Sequence, residues 1–513
     1  MHLNYKQILT ITALLVSTHS HAIVKPNSLF TSNGVLQQGV TVPVWGTANE
    51  GEQVTVSFAG QTVTTTTNNG KWMIRLQPLK ASLQPQTMTI KGENTVTINN
   101  ILVGEVWLCS GQSNMAFPVR AIKPLSPYAS VDVVLREAQQ YPMIRQYSVP
   151  LKKSETTPPI TDDTNGKWNV CDSNSARNFT AVGYFFARDL YNKLKVPIGI
   201  INSSYGGTAI ENWISKETLL AFPELASILK NYEKALNEFP KKLEDFNKQQ
   251  RYLLEGYSRD SADAVKYGRE MPRKPAAPMS PAERGGPTGL WNSMIYPLIP
   301  YAIKGCVCYQ GEANAGRGMQ YRTLLPALIN SWRSSWQQGD FPFVIIQIPG
   351  WKAHQPELRE AQLLTTQKVI NTAMTVITDC DDTLDVHPGN KEPVGIRAAL
   401  QARAIAYNEK KLVYAGPTYE SMKIEGNKII LTFKHIGSGL VAKNGILQDF
   451  TIAGADKKFV TATATIEKDK VIVFSPQISN PVAVRLGWRI NPQINLYNKE
   501  GLLAPAFRTD VEQ

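Results

Sequence analysis

The sequence predicts an α/β fold in which a core with a parallel sheet is flanked by N-terminal and C-terminal β-sandwich-like regions. Between residues 104 and 410, long apolar runs alternate with helical stretches. That alternation is expected for strands buried on both faces and joined by crossover helices. Residues 23–103 and 411–513 instead carry short β-branched runs separated by Gly, Asn and Pro, a pattern typical of small sandwiches.

The first 22 residues have the features of a signal peptide. Lys6 supplies a positive charge, residues 8–16 are largely apolar, and the segment ends at Ala22, a small residue suited to cleavage. The apolar run is too short to span a membrane. We therefore expect a protein that is exported to the periplasm or secreted, without membrane insertion, and whose mature chain begins at Ile23.

The composition is that of a globular protein and argues against nucleic-acid binding. Hydrophobic residues make up 42% of the chain, enough for a sizeable core. The formal net charge of +12 comes from scattered Lys and Arg rather than from a basic run interleaved with aromatics. This charge favours either acidic glycans or simply solubility.

The cysteines predict neither a full set of disulfides nor a metal site. Their number is five, so an exported chain keeps at least one thiol that is free or paired between chains. Cys306 and Cys308 lack a second pair of ligands, so we expect no metal and no cofactor. A disulfide involving Cys109 stays open.

The core elements are predicted from their patterns. Five apolar runs predict strands, at residues 101–109, 198–202, 303–308, 343–347 and 374–378. Three stretches predict helices, at residues 181–194, 321–336 and 394–408. Residues 216–286 interrupt this alternation and predict a helical insertion with an irregular loop, either beside the active site or as a surface decoration.

A serine and a histidine near strand ends suggest nucleophilic catalysis. Three of the six histidines lie in the signal segment, which leaves His354, His387 and His435. His387 follows Asp385 by two residues, and an imidazole oriented by a carboxylate is the usual base for a serine nucleophile. Ser113 follows an apolar strand, and open α/β sheets bind ligands at the carboxyl ends of their strands.

Two further segments at strand ends offer hydrogen-bond donors for an oxyanion. Gly206 and Gly207 allow a backbone N–H to approach a ligand closely. Gln310 or Asn314 provides a side-chain amide. Glu312, between them, is a candidate either for substrate contact or for a structural acceptor that fixes the loop.

Residues 104–115 resemble the nucleophile block of the sialate O-acetylesterase family, which belongs to the SGNH/GDSL hydrolase superfamily. Other segments agree with the family in order: residues 206–208, 309–314, 358–362, 385–388 followed by Lys391, 495–498 and 507–510. The resemblance implies an SGNH-like three-layer α/β/α core. It also implies Ser113 as nucleophile, His387 as base and Asp385 as the acid that orients it.

The oxyanion donors implied by the resemblance are the backbone N–H of Ser113, that of Gly206 or Gly207, and the side chain of Gln310. Two departures from the superfamily pattern bear on these roles. Leu384 stands three residues before the histidine, where Asp is usual, so Asp382 is an alternative acid. The third block lacks the usual GxND sequence, so Asn314 is an alternative donor.

The resemblance implies an exported carbohydrate O-acetylesterase acting on O-acetylated sialic acid. Acetylated hemicellulose, either xylan or xyloglucan, is the alternative substrate, and a non-catalytic glycan-binding protein is the alternative of another class. Candidate substrate contacts are cations for a carboxylate and aromatic platforms for sugars, together with Glu312. These candidates are Arg317, Arg322, Arg359, Trp213, Trp291 and Trp351.

Overall fold

The computed structural model describes residues 23–123, 130–151, 163–283, 285–380 and 382–510. The predicted signal segment, residues 1–22, lies outside them. In the described part, an α/β core is flanked by β-rich regions at both ends, which confirms the predicted fold class.

The strands are numbered in chain order. The N-terminal region contains β1 (Lys25–Pro26), β2 (Val35–Gln37), β3 (Val42–Thr47), β4 (Gln53–Phe58), β5 (Gln61–Thr66), β6 (Lys71–Leu76) and β7 (Ser82–Lys91). The core contains β8 (Thr95–Gly111), β9 (Ile144–Ser148), β10 (Lys167–Val170), β11 (Ile198–Ser204), β12 (Gly305–Tyr309), β13 (Phe343–Ile346) and β14 (Thr372–Thr375). The C-terminal region contains β15 (Thr418–Glu425), β16 (Lys428–Lys434), β17 (Leu440–Ala442), β18 (Phe450–Ala453), β19 (Val460–Thr461), β20 (Thr463–Glu467), β21 (Lys470–Phe474), β22 (Ala483–Leu486), β23 (Leu496–Asn498) and β24 (Phe507–Arg508).

The helices lie between residues 113 and 406. They are α1 (Ser113–Ala116), α2 (Val131–Ala138), α3 (Ala181–Leu194), α4 (Lys216–Ala221), α5 (Pro223–Tyr267), α6 (Gly286–Leu290), α7 (Gly318–Trp336), α8 (Pro356–Lys368) and α9 (Glu392–Ala406). The predicted helix at 181–194 has the bounds of α3, and the predictions at 321–336 and 394–408 fall on α7 and α9.

The central sheet has the strand order β10-β9-β11-β8-β12-β13-β14. All of its neighbours are parallel except β10, which pairs antiparallel with β9 at one edge. The carboxyl ends of β8, β11 and β12 therefore lie side by side at one edge of the sheet. The loops that follow these strands carry Ser113, Gly206 and Gln310, so the sheet brings three of the predicted segments together.

Successive residues of the strands face opposite sides of the sheet, and each side is covered by a pair of helices. Val106 and Leu108 belong to the apolar cluster that contains residues of α7 and α8. Trp107 and Cys109 belong to the cluster that contains residues of α3 and α9. This two-residue period produces the three-layer α/β/α architecture that the family resemblance implies.

Strand β8 joins the N-terminal β region to the core. Its first half pairs with β7 and β2, and its second half pairs with β11 and β12. The predicted boundary between residues 103 and 104 thus falls inside one continuous strand of 17 residues. The two regions share a sheet, and the domain limits stay a prediction.

The C-terminal β region contains two four-stranded sheets with an apolar cluster. One sheet has the order β15-β16-β21-β20 and the other β19-β18-β22-β24. Ile429 and Leu431 from the first sheet belong to the same buried cluster as Ile452 and Val484 from the second. This arrangement is sandwich-like, as predicted.

The insertion predicted at residues 216–286 is dominated by α5, a single helix of 45 residues. Only Leu225, Ile228 and Ala264 among its residues are buried. None of the helices in the described ranges is sufficiently long and apolar to span a bilayer. All five cysteines are buried and free of disulfides.

Candidate active site

Ser113 lies at the turn between β8 and α1. Gly111, the last residue of β8, has φ 136°, and a Cβ there would lie 2.0 Å from the carbonyl oxygen of Tyr309. Only glycine fits this close approach, which bends the chain sharply as it leaves the sheet. Ser113 is half-buried at the start of α1, so its hydroxyl stands at the edge where β8, β11 and β12 end.

The predicted nucleophile and base are in direct contact. The Nε2 atom of His387 lies 2.8 Å from the Oγ atom of Ser113, although the two residues are 274 positions apart. Burial lowers the pKa of His387, and the positive charge of Lys391 lowers it further, against the opposing effect of Asp385. The imidazole is therefore neutral at neutral pH, the state in which it accepts a proton.

Asp385 lies beside His387 without a hydrogen bond to its ring. The Oδ1 atom of Asp385 is 3.7 Å from the Nδ1 atom of His387 and accepts instead from the backbone N–H of His387 at 2.9 Å. The ammonium of Lys123 is 3.5 Å from Oδ2. The backbone hydrogen bond first, and Lys123 second, lower the pKa of Asp385. Asp382, the alternative acid, accepts from the backbone N–H of Leu384 at 2.9 Å.

Backbone N–H groups beside Ser113 are suited to an oxyanion. α1 begins without a side-chain cap, and the N–H of its first residue has no acceptor within the helix. Gly206 packs against Ser113: a Cβ at Gly206 would lie 3.3 Å from the Cβ of Ser113. Gly207 has φ 68°, a left-handed conformation that favours glycine. The predicted glycine segment thus adjoins the nucleophile.

The predicted side-chain donors of the oxyanion hole make hydrogen bonds within the protein, and their role toward an oxyanion stays a prediction. Gln310 donates from Nε2 to the Thr208 carbonyl oxygen at 3.2 Å and to Asn314 Oδ1 at 3.0 Å. Asn314 in turn donates from Nδ2 to Glu211 at 2.9 Å. Both amides are buried, and their hydrogen bonds tie the loop after β12 to the loop after β11. They thereby shape the site.

Glu312 makes a structural contact, the alternative left open by the sequence. Its Oε1 accepts from Asn114 Nδ2 at 2.6 Å, while its Oε2 is buried and has no hydrogen-bond partner within the described part of the chain. Asn114 also accepts from the ammonium of Lys391, a buried residue. No role for Asn114 or Lys391 was predicted from the sequence. The only indication in the sequence was that both residues lie in segments that resemble the family.

Several predicted substrate contacts are buried, which corrects them. Arg359 is 1% exposed and donates to the carbonyl oxygens of His354 and Arg489. Trp213 and Trp291 are buried in the core. Their side chains pack in the interior, where a glycan has no access.

Trp351 and Arg317 remain accessible. Trp351 is half-buried and lies edge-on to His354. The side chain of Arg317 is 41% exposed and borders a cavity of about 440 Å³ that Gly207 also lines. Arg322 is paired with Glu360. Within the described ranges no group of three or more His, Cys, Asp or Glu side chains is placed to hold a metal ion.

Comparison with known proteins places the site in a family. Residues 103–251 match the family model described as "Carbohydrate esterase, sialic acid-specific acetylesterase". The sialate O-acetylesterase of Rattus norvegicus is 32% identical over 431 residues, which cover 76% of this chain and 75% of the rat protein. The chain belongs to the sialate O-acetylesterase family.

Further relatives of the sialate O-acetylesterase family extend the match. The Mus musculus sialate O-acetylesterase is 29% identical over 544 residues, covering 91% of each chain. A crystal structure described as a novel carbohydrate acetylesterase from Xanthomonas citri matches with TM-score 0.78 and 33% identity, covering 96% of this chain and all of that one. As a family member the protein is a carboxylic ester hydrolase, not the non-catalytic glycan-binding protein of the alternative prediction.

Proposed function

We propose that this enzyme removes O-acetyl groups from sugars by forming an acetyl-enzyme on Ser113. The observation that carries the proposal is the 2.8 Å contact between Ser113 Oγ and His387 Nε2. Oγ attacks the acetyl carbonyl carbon while Nε2 takes the hydroxyl proton. The carbonyl oxygen becomes an oxyanion that accepts from the backbone N–H groups of Ser113 and Gly206.

Collapse of this intermediate breaks the bond to the sugar oxygen, which leaves as a hydroxyl with the proton from His387. Water then attacks the acetyl-enzyme as His387 takes one of its protons, and acetate is released from Ser113. Asp385 stabilises the imidazolium that forms in both steps. Asp385 lies 3.7 Å from Nδ1, and a small movement of the imidazole ring would bring the two groups within hydrogen-bond distance. Catalytic hydrogen bonds often shorten in this way only when substrate is bound.

The acetyl-enzyme is the species to trap. We expect acid quenching during turnover of a small acetyl ester, followed by peptide mass spectrometry, to find one acetyl group on Ser113. His387→Ala should abolish this labelling. His435→Ala is a matched control, because His435 lies in the C-terminal β region and should leave labelling unchanged. An acetyl group on another side chain would contradict the assignment of the nucleophile.

The proposed substrate is O-acetylated sialic acid. Arg317 supports this choice because it is an exposed cation at the cavity that Gly207 lines, next to the glycine that packs on Ser113. Its Nη2 is paired with Glu211 Oε1 at 2.6 Å and its Nη1 donates to Gln320 Oε1 at 2.9 Å, while the side chain as a whole is 41% exposed. A sialate carboxylate would bind there by charge-assisted hydrogen bonds.

Arg317→Gln tests this contact. Loss of a charged hydrogen bond should lower kcat/KM for O-acetylated sialic acid by about 10-fold to 100-fold. Hydrolysis of p-nitrophenyl acetate, which has no carboxylate, should not change. Arg322→Gln is the matched control, since Arg322 does not line the cavity.

Acetylated hemicellulose is the second candidate substrate, and the charge balance and amide side chains of the same cavity favour it. Glu211 offsets the charge of Arg317, and the lining includes the amide side chains of Asn212, Asn231 and Gln320. Such groups suit the hydroxyls of neutral sugars. If Arg317→Gln leaves sialate hydrolysis unchanged and acetylated xylan or xyloglucan is the better substrate, this candidate replaces the first.

We also propose export through the predicted signal segment. Edman sequencing of protein recovered from the periplasm or the medium should begin at Ile23. Protein that stays in the cytoplasm with residues 1–22 attached would contradict export.

A further inference from the structure

Lys391 is a buried cation close to the nucleophile. It lies at the start of α9, is 1% exposed, and donates from Nζ to Asn114 Oδ1. Its Nζ also lies 5.0 Å and 5.3 Å from the ring centroids of Phe117 and Tyr309. These contacts partly replace the hydration that a buried ammonium loses. Burial nevertheless lowers the pKa of Lys391 to about 7.

The amide of Asn114 links the two catalytic loops. Its Nδ2 donates to Glu312 Oε1 at 2.6 Å and to the carbonyl oxygen of Val386 at 3.0 Å. Asn114 directly follows Ser113, and Val386 directly precedes His387. One side chain therefore fastens the residue beside the nucleophile to the residue beside the base.

Lys391 determines the orientation of the Asn114 side-chain amide. In its charged form, which prevails below pH about 7, Lys391 only donates hydrogen bonds, so the oxygen of Asn114 faces it and the NH₂ group faces Glu312 and Val386. If the amide turned over, its oxygen would face two acceptors and its NH₂ group would face a cation. Both of these contacts would be unfavourable in the reversed orientation. The ammonium of Lys391 therefore stabilises the observed orientation of the Asn114 amide.

The link from Asn114 adds to a second contact between the His387 loop and the neighbouring chain, the hydrogen bond from the backbone N–H of Lys123 to the carbonyl oxygen of Gly389 at 3.0 Å. The ring of His387 has no hydrogen bond to Asp385, whose carboxylate is 3.7 Å away. Lys123 also lies beside Asp385, but its side chain is 73% exposed. Solvent screening therefore weakens the electrostatic attraction between Lys123 and the loop. The hydrogen bond from the buried Asn114 to the half-buried Val386 is better shielded from solvent, so it is better suited to hold the loop against the core.

We propose that Lys391 is a positioning residue for ester hydrolysis, which orients the Asn114 amide so that it holds the His387 loop at hydrogen-bond distance from Ser113. This inference rests on the proposed mechanism through Ser113 and His387. Glu312 is the second acceptor of the same amide. It completes the set of contacts that define the amide orientation.

The charge of Lys391 has a second, measurable effect on the base. Among the residues that the structure describes, the charged and titratable groups beside Lys391 include Glu312, Asp385, His387, Cys380 and Tyr309. Its ammonium is charged below pH about 7 and disfavours a second positive charge on His387. Removal of Lys391 should therefore raise the pKa of His387, and the acid limb of activity should move to higher pH.

The experiment compares Lys391→Met with wild type on p-nitrophenyl acetate, a probe that does not depend on the identity of the sugar. We expect kcat to fall by about 10²-fold, the loss produced when a catalytic group is displaced by about 1 Å. KM should change little, and the acid limb of kcat/KM should move to higher pH. Lys391→Arg keeps a charged donor and should keep the acid limb of wild type.

Asn114→Asp provides a second variant of nearly unchanged shape. It still accepts from Lys391 but places an oxygen against Glu312 and Val386, so kcat should fall to a similar extent. In the double variant with Lys391→Met, the two losses should be smaller than additive, because both act through one contact. Thermal melts of each variant report whether it folds.

Two results would overturn the inference. One is a folded Lys391→Met enzyme with wild-type kcat and an unmoved acid limb. The other is a loss of kcat that is additive with that of Asn114→Asp and leaves the acid limb in place, as for a residue that only supports the fold. Ser113→Ala is assayed in parallel: full activity there would instead overturn the mechanism itself.

Discussion

At the scale of single residues, the contact between His387 and Ser113 is tighter than the contact between His387 and its acid. Nε2 is 2.8 Å from Ser113 Oγ, whereas Nδ1 is 3.7 Å from Asp385. Asp385 also accepts from the backbone N–H of His387. Its carboxylate therefore shapes the loop as well as acting on the ring.

This geometry predicts a moderate effect for Asp385→Asn. We expect kcat to fall by about 10-fold to 100-fold, less than the about 10⁴-fold that follows the same change in a triad with a direct bond. Initial rates on p-nitrophenyl acetate measure it. A loss of about 10⁴-fold would mean that a direct hydrogen bond forms during turnover, and an unchanged kcat would remove Asp385 from the mechanism.

The pKa of His387 predicts the acid limb of the pH profile. The base works when neutral, so activity falls as the pH drops through its pKa. Burial first, and the charge of Lys391 second, lower that pKa below the ordinary value of 6.5. We therefore expect the midpoint of the acid limb of kcat/KM to lie below pH 6.5. A midpoint above 6.5 would contradict this assignment of the base.

The sequence could predict which side chains meet at the candidate site, but not which hydrogen-bond partners the surrounding polar side chains have. Ser113 and His387 follow from elimination among the histidines and from motif order. Gln310 and Arg359 are also chemically able to serve a substrate, but their partners come from other loops: Thr208 and Asn314 for one, and backbone carbonyls for the other. Such tertiary contacts leave no local pattern in the sequence.

At the scale of elements, long apolar strands and amphipathic helices were predictable, and short polar ones were not. β11, β12 and β13 follow from continuous apolar runs. β10 is a short edge strand and β9 is its short neighbour, with Arg145, Gln146 and Asn169 among their residues, so neither has a clear alternation. α8 buries Arg359, Glu360 and Gln362, which hides the apolar face expected of a helix.

The exposed length of α5 predicts low local stability. Packing supplies most of the stability of helices in proteins, and only three residues of this 45-residue helix are buried. We expect amides at 235–260 to exchange hydrogen at least about 10-fold faster than those of α3, which packs on the central sheet. Hydrogen-exchange mass spectrometry measures both. Equal protection would mean that another surface covers α5 in solution.

At the scale of the whole molecule, buried ion pairs join the core to the C-terminal β region. Glu360 of α8 accepts from Arg322 of α7 and also from Arg508 of β24, at 2.8 Å and 3.1 Å. Asp379, after β14, accepts from Arg397 and from the hydroxyl of Tyr497 at 3.0 Å. These contacts predict that the two regions unfold together.

Glu360→Ala tests that coupling. It leaves two largely buried guanidinium groups without their shared partner, so the free energy of unfolding should fall by about 3–5 kcal/mol. Urea unfolding followed by circular dichroism and by loss of esterase activity should give one coincident transition, shifted to lower urea. Separate transitions in the wild-type enzyme would contradict joint unfolding, and an unshifted midpoint would mean that the pair adds nothing to stability.

The most direct test of the central claim is acetate release by wild type and by Ser113→Ala from O-acetylated sialic acid, with acetylated xylan in parallel. We expect release by wild type, faster from the sialic acid, and loss of nearly all of it in the variant, because Ser113 supplies the hydroxyl at hydrogen-bond distance from His387 Nε2. Undiminished release by a folded Ser113→Ala enzyme would contradict the account.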